Sequence, residues 1–199
     1  LEQNQSENIA SGDLLDLMRR AKCFGINLAK IDIRQESSRH AQLIAEFVKR
    51  NNNSNYLDWD EDKKIRYLSN AMKISKKNFK NFIFRNKENN EVWSTFKILA
   101  EEPPECLGAY VISMTSAASD ILSVYLMQKE ANIKNKLRVV PLFETLQDLK
   151  NAKFIMQKLF SLGWYRKLIQ NKQEIMIGYS DSSKDAGKLS ASWHQYKLQ

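Results

Sequence analysis

Two carboxylates stand directly beyond runs of β-forming residues: Glu144 follows "VVPLF" and Asp181 follows "IMIGYS". A parallel sheet would carry both to one rim. Carboxylate oxygens without a neighbouring His or Cys suit a hard cation, Mg²⁺ or Mn²⁺ rather than zinc, with water and an anionic substrate filling the other coordination positions. A carboxylate between strand and helix also suits a plain helix cap, so the pattern leaves both roles open. Arg34 closes another such run in "DIRQES". Its guanidinium offers a two-pronged contact to phosphate or carboxylate, with Glu36 or Asp32 as the alternative ion-pair partner. Lys184 follows Asp181 near the expected start of a helix. It could add a point charge to a phosphate site there, or be an ordinary surface lysine. His40 and His194, the only two histidines, fall on expected helices and read as structural or surface residues. The tryptophans read as packing residues, since no basic cluster interleaves with them.

The elements that must position these groups alternate. "DLLDLMRRAKCF" spaces Leu14, Leu17, Met18 and Ala21 as one helical face behind Asp13. "INLAKIDIRQES" then predicts a strand ending near Arg34, and "SSRHAQLIAEFVKR" a helix opening at a Ser cap. Residues 51–90 are polar and Asn/Lys-rich. They read as a helical insertion covering the next element, helical in "DEDKKIRYLSNAM" and ambiguous in "KKNFKNFIFRNKENN". A helix in "EVWSTFKILAEE" stops at Pro103 and Pro104, and "CLGAYVISM" gives the second strand. Further helices are expected in "SAASDILSVYLMQKEANI" and "TLQDLKNAKFIMQKLF", and further strands in "LRVVPLFE" and "QEIMIGYSD". A last helix would bury Leu189, Trp193 and Tyr196 on one face. Near-continuous apolar strands alternating with helices predict an α/β fold with a parallel sheet, whose chemistry gathers at the carboxyl ends of the strands.

Composition narrows the function classes. With 199 residues and 43% hydrophobic content the chain can build one real core. No apolar run approaches the roughly 18 residues of a membrane helix, and "LEQNQSENIASGD" lacks the charged and apolar regions of a secretory signal. A soluble protein is expected, and the start at Leu1 reads as an excerpt of a longer chain. Cys23 and Cys106 lie far apart without metal-ligand spacing, which favours free thiols in a reducing cytoplasm. The net charge of +8 is spread along the chain without a Lys/Arg block, so neither a nucleic-acid nor a membrane partner is expected.

The stretch "IMIGYSDSSKDAG", residues 175–187, resembles the active-site signature of the phosphoenolpyruvate carboxylases. The resemblance extends to "LLDLMRRAKCFGINLAKIDIRQESSRH", "LGAYVISM", "RVVPLFETLQDL" and "GWYRKLIQNKQ", and is weak from Asn52 to Asn90. It implies a single piece, residues 1–199, of a partial (β/α)₈ TIM-type barrel with many additional helices. It further implies a Mg²⁺- or Mn²⁺-dependent cytoplasmic homotetramer that joins bicarbonate to phosphoenolpyruvate, forming oxaloacetate and inorganic phosphate. Carried over by motif, Glu144 and Asp181 would ligate the metal, and Arg34 and Lys184 would contact the substrate phosphate. Ser180 and Ser182 would shape the turn. The implied reaction passes through carboxyphosphate and an enolate, whose negative charge the metal and the cationic side chains stabilise while water is excluded. Ala118 stands where the family usually has proline. The family's Thr-Ala-His-Pro and Phe-His-Gly-Arg-Gly-Gly segments do not occur in these residues, and the isolated chain is expected to be inactive because about four strands cannot close an eight-stranded barrel. A non-catalytic remnant serving as an interaction module is the competing reading.

Overall fold

The computed structural model describes residues 2–4, 6–25, 27–74, 79 and 82–199. Ile26, the expected opening of the first strand, and part of the ambiguous stretch at 76–90 lie outside the described residues. The chain alternates as its hydrophobic patterning predicts. Helices α1 (Glu7–Ala10) and α2 (Asp13–Phe24) precede strand β1 (Ile31–Glu36) and α3 (Ser37–Asn52). After α4 (Glu61–Lys73) and α5 (Lys87–Glu101) come β2 (Leu107–Ser113) and α6 (Ala118–Glu130). Then follow β3 (Arg138–Phe143), α7 (Leu146–Ser161), α8 (Gly163–Leu168), β4 (Met176–Ile177), α9 (Tyr179–Ala186) and α10 (Lys188–Leu198). The strands form one parallel sheet in the order β1-β2-β3-β4, so sequence neighbours are spatial neighbours.

Side-chain alternation gives the sheet two unlike faces. Tyr110, Ile112, Val139 and Phe143 join the main core with residues of α3 to α8, and Phe96 of α5 stacks on Tyr110 at 5.1 Å. Ala109, Val111, Val140 and Leu142 form a separate small cluster to which no helix contributes among the described residues. Arg34 lies in register with Val111, on this second face by strand alternation, and Glu144 continues the parity of Val140 and Leu142. Arg34 and Glu144 therefore sit at the end of the face that carries this second cluster.

Helix α6 is buried nearly all round, which explains its lack of a polar stripe. Its N-cap position is Ala117, whose side chain offers no cap. Asp120, inside the first turn, accepts the N–H groups of Ser116 and Ala117 at 3.0 and 2.9 Å, and Glu61 of α4 accepts from the Ser119 N–H and hydroxyl. The helix start thus holds without the family's proline at Ala118. Residues of the polar 51–90 stretch, including Tyr56, Ile65, Leu68 and Phe84, belong to the main core, where α4 packs on α6.

Three local expectations are corrected. Helix α3 begins behind Glu36 without a side-chain cap, because the Ser37 hydroxyl is engaged elsewhere. In α10, Leu189, Trp193 and Tyr196 face outward, while Ala191 and Gln195 face α7 and α9. The buried Gln195 is held there by its hydrogen bond to Ser182, 2.7 Å, which decides the helix rotation against the apolar pattern. The signature is helical from Tyr179, so Ser180, Asp181, Ser182 and Lys184 lie on α9 rather than in a turn.

Candidate active site

Parallel strands deliver their carboxyl ends to one edge, and at this edge the ends of β1, β2 and β3 are cross-linked by side chains. Arg34 of β1 donates from Nη2 to Glu144 Oε2 at 3.3 Å. Glu144, one residue beyond β3, is nearly buried, whereas the Arg34 side chain is 58% exposed. A carboxylate withdrawn from water requires such partners. Its second partner is a backbone group: Met114, one residue beyond β2, donates its N–H to Glu144 Oε1 at 3.2 Å. Met114 has φ 53°, a left-handed conformation that costs a side-chain-bearing residue roughly 1–3 kcal/mol. The Met114 carbonyl in turn accepts from Ser37 Oγ at 2.7 Å.

Glu144 is therefore not the cap of α7. That work is done by Thr145, whose hydroxyl accepts from the Asp148 N–H, and by Asp148, which accepts from the N–H groups of Glu144 and Thr145. The partner of Arg34 is also neither Glu36 nor Asp32. Glu36 accepts from the Ser38 hydroxyl. Asp32 reaches across to the Ala109 N–H at 2.6 Å, beside the register irregularity between β1 and β2.

The signature approaches Glu144 through glycine. Phe143 pairs with Ile177, and the Gly178 N–H donates to the Phe143 carbonyl at 2.9 Å. A Cβ at Gly178 would lie 2.6 Å from the Cβ and 3.0 Å from the Cα of Glu144. Backbone meets backbone at this point. Helix α9 starts at the next residue and is anchored twice. The buried Ser182 hydroxyl donates back to the Gly178 carbonyl at 2.5 Å and accepts from Gln195, and Asp185 accepts the Leu146 N–H at the start of α7, 2.9 Å away.

Asp181 and Lys184 sit one helical turn apart on α9 and form an exposed pair at 3.7 Å. Such a pair contributes only about 0–1 kcal/mol, so either group is free to exchange its partner for a ligand at little cost. The structure thus brings Arg34 to Glu144 and Lys184 to Asp181. Among the described residues no hydrogen bond or ion pair joins the two pairs. Their link is the Gly178–Glu144 contact and the Asp185 strap. Among the described residues, no group of three or more His, Cys, Asp and Glu could hold a metal. His40 is fully buried, with Nε2 2.9 Å from the Tyr110 hydroxyl, and burial lowers its pKa to about 3. A neutral packing histidine agrees with the structural reading.

The sequence gives no signal for the roles of Met114, Ser37, Gly178 and Asp185 at this edge. Ser37 and Asp185 lie inside the "DIRQES" and "KDAG" strings. Their roles pass through backbone groups of other elements, which side-chain spacing does not reveal.

Comparisons with known proteins identify relatives along the whole chain. The family model described as "Phosphoenolpyruvate carboxylase" matches residues 1–199. The chain is 47% identical over 191 residues to "Phosphoenolpyruvate carboxylase" of Glycine max, covering 96% of this chain and 20% of that protein. It is 46% identical over 191 residues to that of Flaveria pringlei, again 96% and 20%. To that of Acinetobacter baylyi it is 47% identical over 198 residues, 96% and 22%. The chain spans about a fifth of the length of the curated relatives it matches. A match along the whole chain, with the signature leaving the sheet edge beside Glu144, identifies it as a member of the phosphoenolpyruvate carboxylase family.

Proposed function

We propose that this chain forms part of an enzyme that carboxylates phosphoenolpyruvate with bicarbonate, releasing oxaloacetate and inorganic phosphate. The observation that supports it best is the shared sheet edge. Glu144, paired with Arg34, lies against Gly178, from which the helix bearing Asp181 and Lys184 departs.

The donors fit a hard divalent cation. Glu144 and Asp181 offer carboxylate oxygens, held by contacts of 3.2–3.7 Å to Arg34, the Met114 N–H and Lys184. On this reading Glu144 and Asp181 hold Mg²⁺ or Mn²⁺, with water and substrate completing the coordination. When bound, the cation supplies Lewis-acid polarisation of the substrate's oxygens. Arg34, exposed at the rim, binds the phosphate through its fork of N–H groups, and Lys184 adds a point charge at the same group. On this reading both cations would stand where negative charge grows as the phosphoryl group leaves the enol oxygen, and fixed charges there would stabilise the transition state.

The sheet is, on the same reading, half of a (β/α)₈ barrel. Supporting this are the sequential parallel order and, among the described residues, the second cluster to which no helix contributes and the terminal position of β1 with its exposed Ile31. The apolar faces left open on α2 and α10 suit packing by the remainder of such an enzyme. The activity belongs to that longer protein, which we take to be a cytoplasmic homotetramer. No described helix is long and apolar enough to cross a membrane.

The test is an oxaloacetate-forming assay on the full-length gene product and its Asp181→Ala variant with Mg²⁺ and Mn²⁺. We expect turnover in the parent and a loss of roughly 10²-fold or more in the variant. Undiminished turnover in the variant would remove Asp181 from the site. A folded parent that makes no oxaloacetate would favour a non-catalytic member of the family.

A further inference from the structure

We propose that Ser37 is a positioning residue for Glu144, acting through the strained backbone of Met114; the inference rests on the carboxylase reading of Glu144. Three strand ends are joined in one chain of hydrogen bonds. Ser37, the buried first residue of α3, follows β1 and donates from Oγ to the Met114 carbonyl at 2.7 Å. Met114 follows β2 and donates its N–H to Glu144 Oε1 at 3.2 Å. Glu144 follows β3.

The link between the first and last of these groups is a methionine at φ 53°. Residues with a Cβ avoid this conformation, and glycine, which adopts it freely, does not stand here. Something else must hold Met114 in place, and both of its backbone groups are engaged in the work. The carbonyl is anchored by Ser37, and the N–H is thereby aimed at Glu144. Without the Ser37 hydroxyl the Met114 backbone is free to return to an ordinary conformation, carrying its N–H away from the carboxylate. Glu144 would then keep only Arg34, a long and largely exposed side chain whose pull acts on Oε2 alone. The carboxylate would rotate about its own stem, and its free lone pairs would no longer point in one direction. Groups behind a metal ligand tune affinity by about 10–100-fold, and a group one step further back belongs at the lower end.

The experiment measures binding of Mn²⁺ alone, by the loss of the free-ion electron paramagnetic resonance signal, in the full-length gene product without substrate. Ser37→Ala, Ser37→Thr, Glu144→Gln and the double variant Ser37→Ala/Met114→Gly are compared, each first checked for an unchanged thermal midpoint. We expect Ser37→Ala to weaken Mn²⁺ binding roughly tenfold, and Ser37→Thr, which keeps the hydroxyl, to restore it. In the double variant glycine adopts the left-handed backbone without a tether, so most of the affinity should return. A role confined to packing predicts no such return. If Glu144→Gln loses Mn²⁺ while Ser37→Ala binds it like the parent, the inference is overturned and the reading of Glu144 stands. If Glu144→Gln also binds like the parent, the reading itself fails and the inference falls with it.

Discussion

Replacing Gly178 by alanine adds one carbon where β4 leaves the sheet. The backbone at Gly178, φ −82° and ψ 108°, is one that alanine adopts without strain, so any effect must come from space alone. In that space the new carbon would stand 2.6 Å from the Cβ and 3.0 Å from the Cα of Glu144. Comfortable carbon contacts begin near 3.5 Å, so the two backbones must part by about 1 Å. Alanine gains about 0.4–1 kcal/mol by restricting the unfolded chain, whereas overpacking of this kind costs about 1–3 kcal/mol. Overpacking wins, and the net loss is about 1–2 kcal/mol. The larger consequence is geometric, because a displacement of about 1 Å within a catalytic constellation can lower turnover by about 10²-fold. The assay is kcat for oxaloacetate formation by the full-length gene product, read beside Mn²⁺ affinity and the thermal midpoint. Turnover within twofold of the parent, at unchanged metal affinity, would show that the Gly178 contact does not set the position of Glu144 and would refute the reasoning.

Two further outcomes follow, one from this edge and one from the core. Asp185→Ala removes the acceptor for the Leu146 N–H, the strap between α9 and the start of α7. It should lower kcat severalfold while costing about 1 kcal/mol or less of stability; Asp185→Asn, which keeps an acceptor oxygen, should recover most of the rate, and equal losses in both variants would count against the strap. His40 provides a pH dependence. Its folded pKa is depressed by burial from 6.5 to about 3, so its contribution to stability is complete above about pH 6.5 and is lost as pH falls towards 3. Between pH 6.5 and 5 the stability of the parent should decline with a slope of at most about 1.4 kcal/mol per pH unit from this group. His40→Gln should flatten that part of the urea-denaturation profile, and an unchanged slope would sink the assignment.

Much of the architecture could be read from hydrophobic period and punctuation. All four strands and the helices between them, except the short α8, follow from hydrophobic patterning closed by Pro, Gly or small polar residues, since burial on one side or both leaves that imprint. The short extent of β4 and the helical course of the signature from Tyr179 could not be read so. "YSDSSKDA" has weak helix formers, and what holds it is tertiary: Ser182 bonded to Gly178 and Gln195, and Asp185 bonded to Leu146. The outward turn of Leu189, Trp193 and Tyr196 escapes an amphipathic reading for the same reason, because one buried amide on Gln195 outweighs the stripe. That Glu144 and the start of the signature at Gly178 would leave β3 and β4 at the same sheet edge could be read from strand direction alone. That Glu144 would take a backbone N–H from Met114 could not, since no side-chain pattern reports where a neighbouring peptide points.

The two pairs at the rim differ in how firmly they are held, and that difference bears on their proposed use. Glu144 is nearly buried, supported by two donors and pressed against Gly178, so its position is set before any ligand arrives. Asp181 and Lys184 are exposed, 3.7 Å apart, on a short helix whose anchors lie at Ser182 and Asp185 rather than at the pair itself. On the proposed reading, a firmly held Glu144 and an adjustable carboxylate–ammonium pair would let a cation and a phosphate replace the Asp181–Lys184 contact with little to break, because the exposed pair contributes at most about 1 kcal/mol. The same asymmetry orders the expected effects of mutation. Changes behind Glu144, at Gly178 or Ser37, disturb an arrangement already formed and should lower metal affinity in the absence of substrate. Loss of Lys184 should leave Mn²⁺ binding nearly intact and act on the affinity for the substrate phosphate.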